Sequence, residues 1–73
     1  MGRMVERAWG ALVKKIAKER DISAEDAEEL MQECLYQLAD FYDGKTPYTK
    51  PEQILDDYLG LPGSYLWVFR WSL

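Results

Sequence analysis

The sequence predicts an all-α fold, a small three-helix bundle with an aromatic C-terminal tail, in a single helical domain spanning residues 1–73. Two long stretches repeat apolar residues every three or four positions, which is the spacing of one helix face. A shorter third stretch has a proline at its start and a glycine at its end, where these residues often bound a helix. A chain of 73 residues has room for one small core, because a domain of this size buries only about 60% of its unfolded surface.

The first helix is expected over residues 3–20. Apolar residues form one of its faces, namely Met4, Val5, Ala8, Trp9, Leu12, Val13 and Ile16. The opposite face carries four cations that we name the cationic ridge: Arg3, Arg7, Lys14 and Lys18. Charge is distributed unevenly along the chain, since residues 1–20 hold six cations and two carboxylates, whereas residues 21–73 hold three cations and eleven carboxylates.

The second helix is expected from Ser23 to about Asp43. Ser23 is a preferred N-cap residue, carboxylates crowd the first turn, and Gly44 stands where a left-handed glycine ends a helix. The apolar stripe spans about 140° at ~100° per residue and consists of Leu30, Met31, Cys34, Leu35, Leu38, Phe41 and Tyr42. So wide a stripe faces a core, and the opposite side is acidic apart from Tyr36, which we interpret as a single exposed aromatic side chain.

The third helix is expected to start at residues 49–52, which have the signature of a capping box. Thr49 would be the N-cap, Pro51 would lie in the first turn, and Glu52 would reach back to the cap. Gly60 would end the helix. The core side would carry Ile54, Leu55, Tyr58 and Leu59.

The tail, residues 64–73, is compatible with two conformations. A strand would place Tyr65, Trp67, Phe69 and Trp71 on one face. No second strand is predicted in this chain, so such a strand would have to pair across a homodimer. Ser64 can equally cap a fourth short helix, which is the conformation we favour.

The residue types argue against catalysis. The sequence contains no histidine and a single cysteine, Cys34. A catalytic thiol needs a base, and zinc sites need several histidine or cysteine ligands. The carboxylates do not follow the spacing of a calcium loop. We therefore expect no enzyme activity, no cofactor and no metal site, with Cys34 a buried apolar residue.

Two surfaces are candidates for binding. Tryptophan, tyrosine and arginine dominate interface hot spots, so the candidate contacts to a protein partner are the tail residues Tyr65, Trp67, Phe69, Arg70 and Trp71. An equal alternative is that the tail aromatics fill the core. The cationic ridge could follow the phosphates of a nucleic acid, lie on an anionic membrane, or pair with the acidic face of another copy. Its simplest interpretation is the solvated back of a core helix.

Residues 25–33, with the sequence EDAEELMQE, resemble the acidic helix in region 2 of small bacterial sigma factors. The basic helix and the short link before it are similar too, so the resemblance covers about residues 12–42. In that family this helix contacts the clamp of RNA polymerase, which implies a transcription partner. The family's promoter-reading aromatic helix, with its basic residues, is not recognisable in residues 45–73.

These observations predict a non-enzymatic protein-interaction module, a small regulator or inhibitor that binds a larger protein partner. We expect a homodimer and no membrane partner. A cytoplasmic protein is expected, because one cysteine cannot form an internal disulfide framework and the sequence shows no signal peptide or membrane-length apolar run. The alternative is a nucleic-acid-associated or transcription-associated protein that uses the cationic ridge.

Overall fold

A computed structural model shows four helices joined by short links. It describes the backbone of residues 2–73 and the side chains of residues 6–73. The helices are α1 (Gly2–Arg20), α2 (Ala24–Tyr42), α3 (Pro51–Leu59) and α4 (Leu66–Arg70), with a 3-10 turn at Gly63–Tyr65. Residues 2–73 contain no strand, so the prediction of an all-α fold is confirmed.

The turn between α1 and α2 depends on Asp21, whose backbone is left-handed with a φ of 53°. This conformation lets the N–H of Ile22 donate to the carbonyl of Ala17 at 3.0 Å, which closes the last turn of α1. The next residue, Ser23, accepts a hydrogen bond from the N–H of Asp26 through its hydroxyl at 3.1 Å. The predicted N-cap of α2 is therefore confirmed.

α2 ends in a Schellman motif centred on Gly44, as the sequence predicts. The φ of Gly44 is 73°, a conformation that side chains with a Cβ rarely adopt. The N–H of Gly44 donates to the carbonyl of Phe41 at 3.0 Å, and the N–H of Lys45 donates to the carbonyl of Asp40 at 2.9 Å. These two bonds satisfy carbonyl groups that would otherwise lack partners at the helix end.

α3 begins one residue later than the predicted capping box. Lys50 is its N-cap rather than Thr49, with the extended backbone (φ −140°, ψ 139°) that a following proline favours. Gln53 takes the place predicted for Glu52, because its side-chain oxygen accepts from the backbone N–H of Thr49 at 3.2 Å and of Lys50 at 3.4 Å. Pro51 is the first residue of the helix, and Gly60, with a φ of 64°, ends it as predicted.

Each helix packs against at least two others: α1 contacts α2 and α4, and α3 contacts α2 and α4. The Trp9 and Phe69 rings pack edge to face with centroids 5.6 Å apart, which joins α1 to α4. The buried apolar residues are Leu12, Val13, Ile16, Ala27, Met31, Cys34, Leu38, Ile54, Leu55, Leu59, Leu61, Val68 and Phe69.

The core face of α2 is narrower than predicted. Its fully buried residues follow one line along the helix, namely Ala27, Met31, Cys34 and Leu38. Leu30, Leu35 and Phe41 are only half-buried, and Tyr42 is 49% exposed. α1 and α3 are the main neighbours of α2, and the edges of the predicted stripe are left partly open to solvent. The predicted faces of α1 and α3 are confirmed, apart from Met4 and Val5, whose side chains lie outside the described residues.

The tail is helical, so the alternative of a strand is wrong, and with it the pairing of two such strands across a homodimer. Val68 and Phe69 are adjacent in sequence and both are buried, which the alternating faces of a strand would not allow. Ser64 lies within the 3-10 turn and is not the cap of α4. That cap is Tyr65, which contributes no side-chain hydrogen bond.

Candidate interaction surfaces

The outer face of α4 carries an exposed surface that we name the tryptophan patch: Trp67, Arg70 and Trp71. These residues are three and four positions apart, so one side of the helix presents all of them. Trp67 is 44% exposed and Trp71 is 64% exposed, although tryptophan is highly buried on average. The three side chains line an open cavity of about 340 Å³. Arg70 forms no salt bridge within residues 6–73, so the patch offers two indole rings and an unpaired guanidinium.

The helical conformation separates the five tail residues that the sequence groups as partner contacts. Phe69 is fully buried beside Trp9, so it packs within this chain, as in the alternative that the tail aromatics fill the core. Tyr65 is half-buried against the core. Residues that would share one face of a strand are separated in this way because successive residues of a helix are about 100° apart rather than 180°.

The described part of the cationic ridge is exposed on the outer face of α1. Arg7, Lys14 and Lys18 are solvent-accessible, and none of them forms a salt bridge within residues 6–73. The side chain of Arg3 lies outside the described residues. Lys15, which lies beside the ridge, binds Glu19 at 2.7 Å, and this hydrogen bond raises the pKa of Lys15. The ridge is therefore a strip of positive charge that the described side chains do not neutralise.

The outer side of α2 carries a surface that the sequence analysis missed, and we name it the α2 groove. It is an open cavity of about 530 Å³ lined by Ile22, Asp26, Glu29, Leu30, Gln32, Glu33 and Tyr36. Ile22 and Leu30 are half-buried, and the ring of Tyr36 is 66% exposed. Three apolar side chains thus lie among three carboxylates, with no cation among the lining residues.

A signal for this groove exists in the sequence. At about 100° per residue, Leu30 and Tyr36 lie on either side of the carboxylates of Glu29 and Glu33, so α2 has an apolar pair on its acidic face. The width of the apolar stripe instead predicts Leu30 as a core residue, which leaves Tyr36 as a single exposed aromatic side chain. Ile22 completes the groove only because the left-handed turn at the preceding residue places it there, and that turn is a property of the structure.

A third surface joins the loop before α3 to α3 itself. The hydroxyl of Tyr48 donates to a carboxylate oxygen of Asp57 at 3.0 Å, and this bond raises the pKa of Tyr48. Thr49, Gln53 and Asp56 line the same open cavity of about 730 Å³. This hydrogen bond holds the loop on the helix.

Cys34 is fully buried, as the sequence predicts, and burial raises the pKa of its thiol to about 12. A thiol with so high a pKa is neutral at physiological pH, and the thiolate is the form that acts as a nucleophile. In the described part of the chain, no group of three or more histidine, cysteine or acidic residues is placed to hold a metal ion. None of the helices within residues 2–73 has the length and apolar character needed to cross a membrane.

No protein-family model, curated protein or solved structure matches this chain. The similarity of residues 25–33 to sigma-factor region 2 stays a prediction.

Proposed function

We propose that this chain is a non-enzymatic protein-interaction module of the cytoplasm, a regulator or inhibitor that binds a larger protein partner through the tryptophan patch. The observation that carries the proposal is the exposure of two tryptophans at i and i+4 with an unpaired arginine between them. Tryptophan and arginine are the residue types that contribute most to the affinity of protein interfaces.

In the isolated chain the patch leaves apolar surface in contact with water, which costs free energy. Val68 and Phe69 are the residues that this helix buries in the core. Trp67 and Trp71 are therefore additional apolar side chains, which the core does not use. Transfer of apolar area from water contributes roughly 25 cal/mol per Å². A partner with an apolar pocket and a carboxylate beside it would recover this energy and pair with Arg70 at the same time.

The interface with the partner must be larger than the patch alone. Buried tryptophans contribute about 150–250 Å² each, so exposures of 44% and 64% leave roughly 200 Å² of indole surface. A standard interface buries about 800 Å² on each side. The patch is therefore the anchor of an interface whose outer contacts come from neighbouring residues, as is typical of hot spots.

The first experiment is affinity capture of tagged protein from the cells that make it, with mass spectrometry as the readout. Three forms are compared: the wild type, the double variant Trp67→Ala/Trp71→Ala, and a control variant, Tyr42→Ala. Tyr42 is an exposed aromatic residue on α2 and does not belong to the patch. We expect the wild type and Tyr42→Ala to capture equal amounts of a protein partner, and the double variant to capture at least about tenfold less of it.

Nuclease treatment separates this proposal from its alternative. A partner that persists after nuclease supports direct protein binding, and its activity measured against increasing amounts of the chain then tests inhibition. Equal capture by the wild type and the tryptophan double variant would contradict the proposal.

The alternative is a nucleic-acid-associated or transcription-associated protein that uses the cationic ridge. The favouring observation is that Arg7, Lys14 and Lys18 are all exposed without a salt bridge among residues 6–73. Binding of labelled DNA or RNA would weaken with salt, with a slope of about −0.7 to −0.9 for each neutralised phosphate. Replacing these three residues and Arg3 by glutamine would remove the salt-sensitive binding, and unchanged binding would exclude the alternative.

A further inference from the structure

We propose that the chain self-associates head to tail, with the tryptophan patch of one copy seated in the α2 groove of the next copy. The proposal concerns a second copy of this chain and does not depend on the larger partner proposed above. It rests on three properties of the two surfaces: their apolar content, their opposite charge and their positions on the molecule.

The apolar parts of the two surfaces are complementary in kind. The patch presents two indole rings, and the groove presents the half-buried side chains of Ile22 and Leu30 beside the exposed ring of Tyr36. An indole placed against Tyr36 gains an aromatic pair, which contributes about 0.5–1.5 kcal/mol beyond the buried area in other proteins. Each surface alone leaves aromatic rings in water.

The charges are also complementary. Arg70 is the only charged residue of the patch, and it forms no salt bridge among residues 6–73. The charged residues of the groove are Asp26, Glu29 and Glu33, and no cation lines the groove to neutralise them. A guanidinium between two indoles would meet carboxylates that lie between two apolar side chains, which fixes the orientation of the contact.

The position of the surfaces determines the kind of assembly. The patch lies on α4 and the groove lies on α2 and the link before it, and both are open to solvent in the same chain, so each is available to a second copy. A contact between different surfaces of identical chains is heterologous, and unless its rotation closes a ring it extends to further copies. The apolar area is well below the roughly 800 Å² per partner of a standard interface, so the association is weak and depends on concentration.

The test uses the purified full chain and two single variants at exposed positions. Trp71→Ala removes part of the patch and Tyr36→Ala removes part of the groove, while Tyr42→Ala serves as a matched tyrosine control. Mass is measured by sedimentation over protein concentrations up to roughly 1 mM, where weak contacts of this size are populated. We expect the wild type and Tyr42→Ala to form dimers and larger species, and each single variant to associate about tenfold more weakly or not at all.

Mixing the two variants provides the decisive result. The Trp71→Ala chain keeps its groove and the Tyr36→Ala chain keeps its patch, so an equal mixture is expected to form a 1:1 dimer that does not grow further. Raising salt from about 0.05 M to about 0.5 M is expected to weaken that dimer, because exposed ion pairs are screened.

Three outcomes would overturn the proposal. A wild type that remains monomeric at roughly 1 mM excludes the contact. If Tyr36→Ala self-associates as strongly as the wild type while Trp71→Ala does not, the patch packs against a second patch instead. A mixture that stays monomeric excludes the pairing of patch with groove. Loss of the larger partner in affinity capture leaves these measurements unaffected, so the two proposals fail separately.

Discussion

The second and fourth helices are stabilised in different ways. α2 is 19 residues long, begins at a serine whose hydroxyl accepts a backbone hydrogen bond, and ends at Gly44 in a Schellman motif. α4 is five residues long and has no side-chain hydrogen bond at its N-cap. It follows a 3-10 turn rather than an extended cap residue. α2 therefore carries its own start and stop signals, whereas α4 depends on Val68 and Phe69 being buried against the other helices.

This difference also separates the two interaction surfaces. The α2 groove lies on a helix whose conformation is determined locally, so its acidic face persists wherever α2 forms. The tryptophan patch exists only while α4 is docked, because five isolated residues are far below the roughly 12–15 needed for a helix in water. Any change that releases Phe69 from the core should therefore remove the patch and leave the acidic face of α2.

The largest effect is expected for Phe69→Ala. Removal of a fully buried phenylalanine costs about 3–5 kcal/mol, and here it also removes the edge-to-face contact with Trp9. Urea unfolding would measure the loss, and near-ultraviolet circular dichroism would report the release of the tail tryptophans. Trp71→Ala, at an exposed position in the same segment, is the control and should cost less than about 1 kcal/mol. Equal costs for the two variants would show that α4 does not depend on the core.

The next effect is expected for Leu38→Ala, which lies on the buried line of α2. A fully buried leucine costs about 2–5 kcal/mol when truncated. Unlike Phe69→Ala, this variant should keep α2 helical, since Ser23 and Gly44 still bound the helix. Urea unfolding gives the free energy, and Tyr42→Ala provides a control at an exposed position of α2. A negligible loss of stability would mean that the assigned register of α2 is wrong.

The smallest effect is expected for Gly44→Ala, which tests the stop signal of α2 directly. A Cβ at position 44 meets no neighbouring atom within 4 Å, so the cost comes only from the left-handed backbone, at about 1–2 kcal/mol. Gly10→Ala is the matched control, because position 10 is equally open but lies inside α1 with an ordinary helical backbone. That variant should raise the free energy of unfolding by about 0.5–1 kcal/mol. Equal effects of the same sign would contradict the role of Gly44.

The start of α3 and the choice between helix and strand in the tail were decided by the same kind of constraint. At the start of α3, Thr49 and Glu52 have the residue types of a capping box, yet Gln53 makes the bonds because Pro51 determines where the helix begins. In the tail, aromatic and β-branched composition suits a strand, yet burial of two successive residues selects a helix. In both places a neighbouring constraint decided the outcome, and residue preference alone does not contain that constraint.

The sequence by itself determined the helical class, the extents of α1 and α2 to within a residue or so, the Ser23 cap, the glycine ends and the burial of Cys34. These follow from interactions between residues a few positions apart, which are the same in the isolated chain and in the folded protein. The tertiary structure decided that Phe69 is core while Trp67 and Trp71 are surface, and that Ile22, Leu30 and Tyr36 share a groove. Those outcomes depend on which side chains cover each face and on the left-handed turn at Asp21, and only the folded chain fixes them.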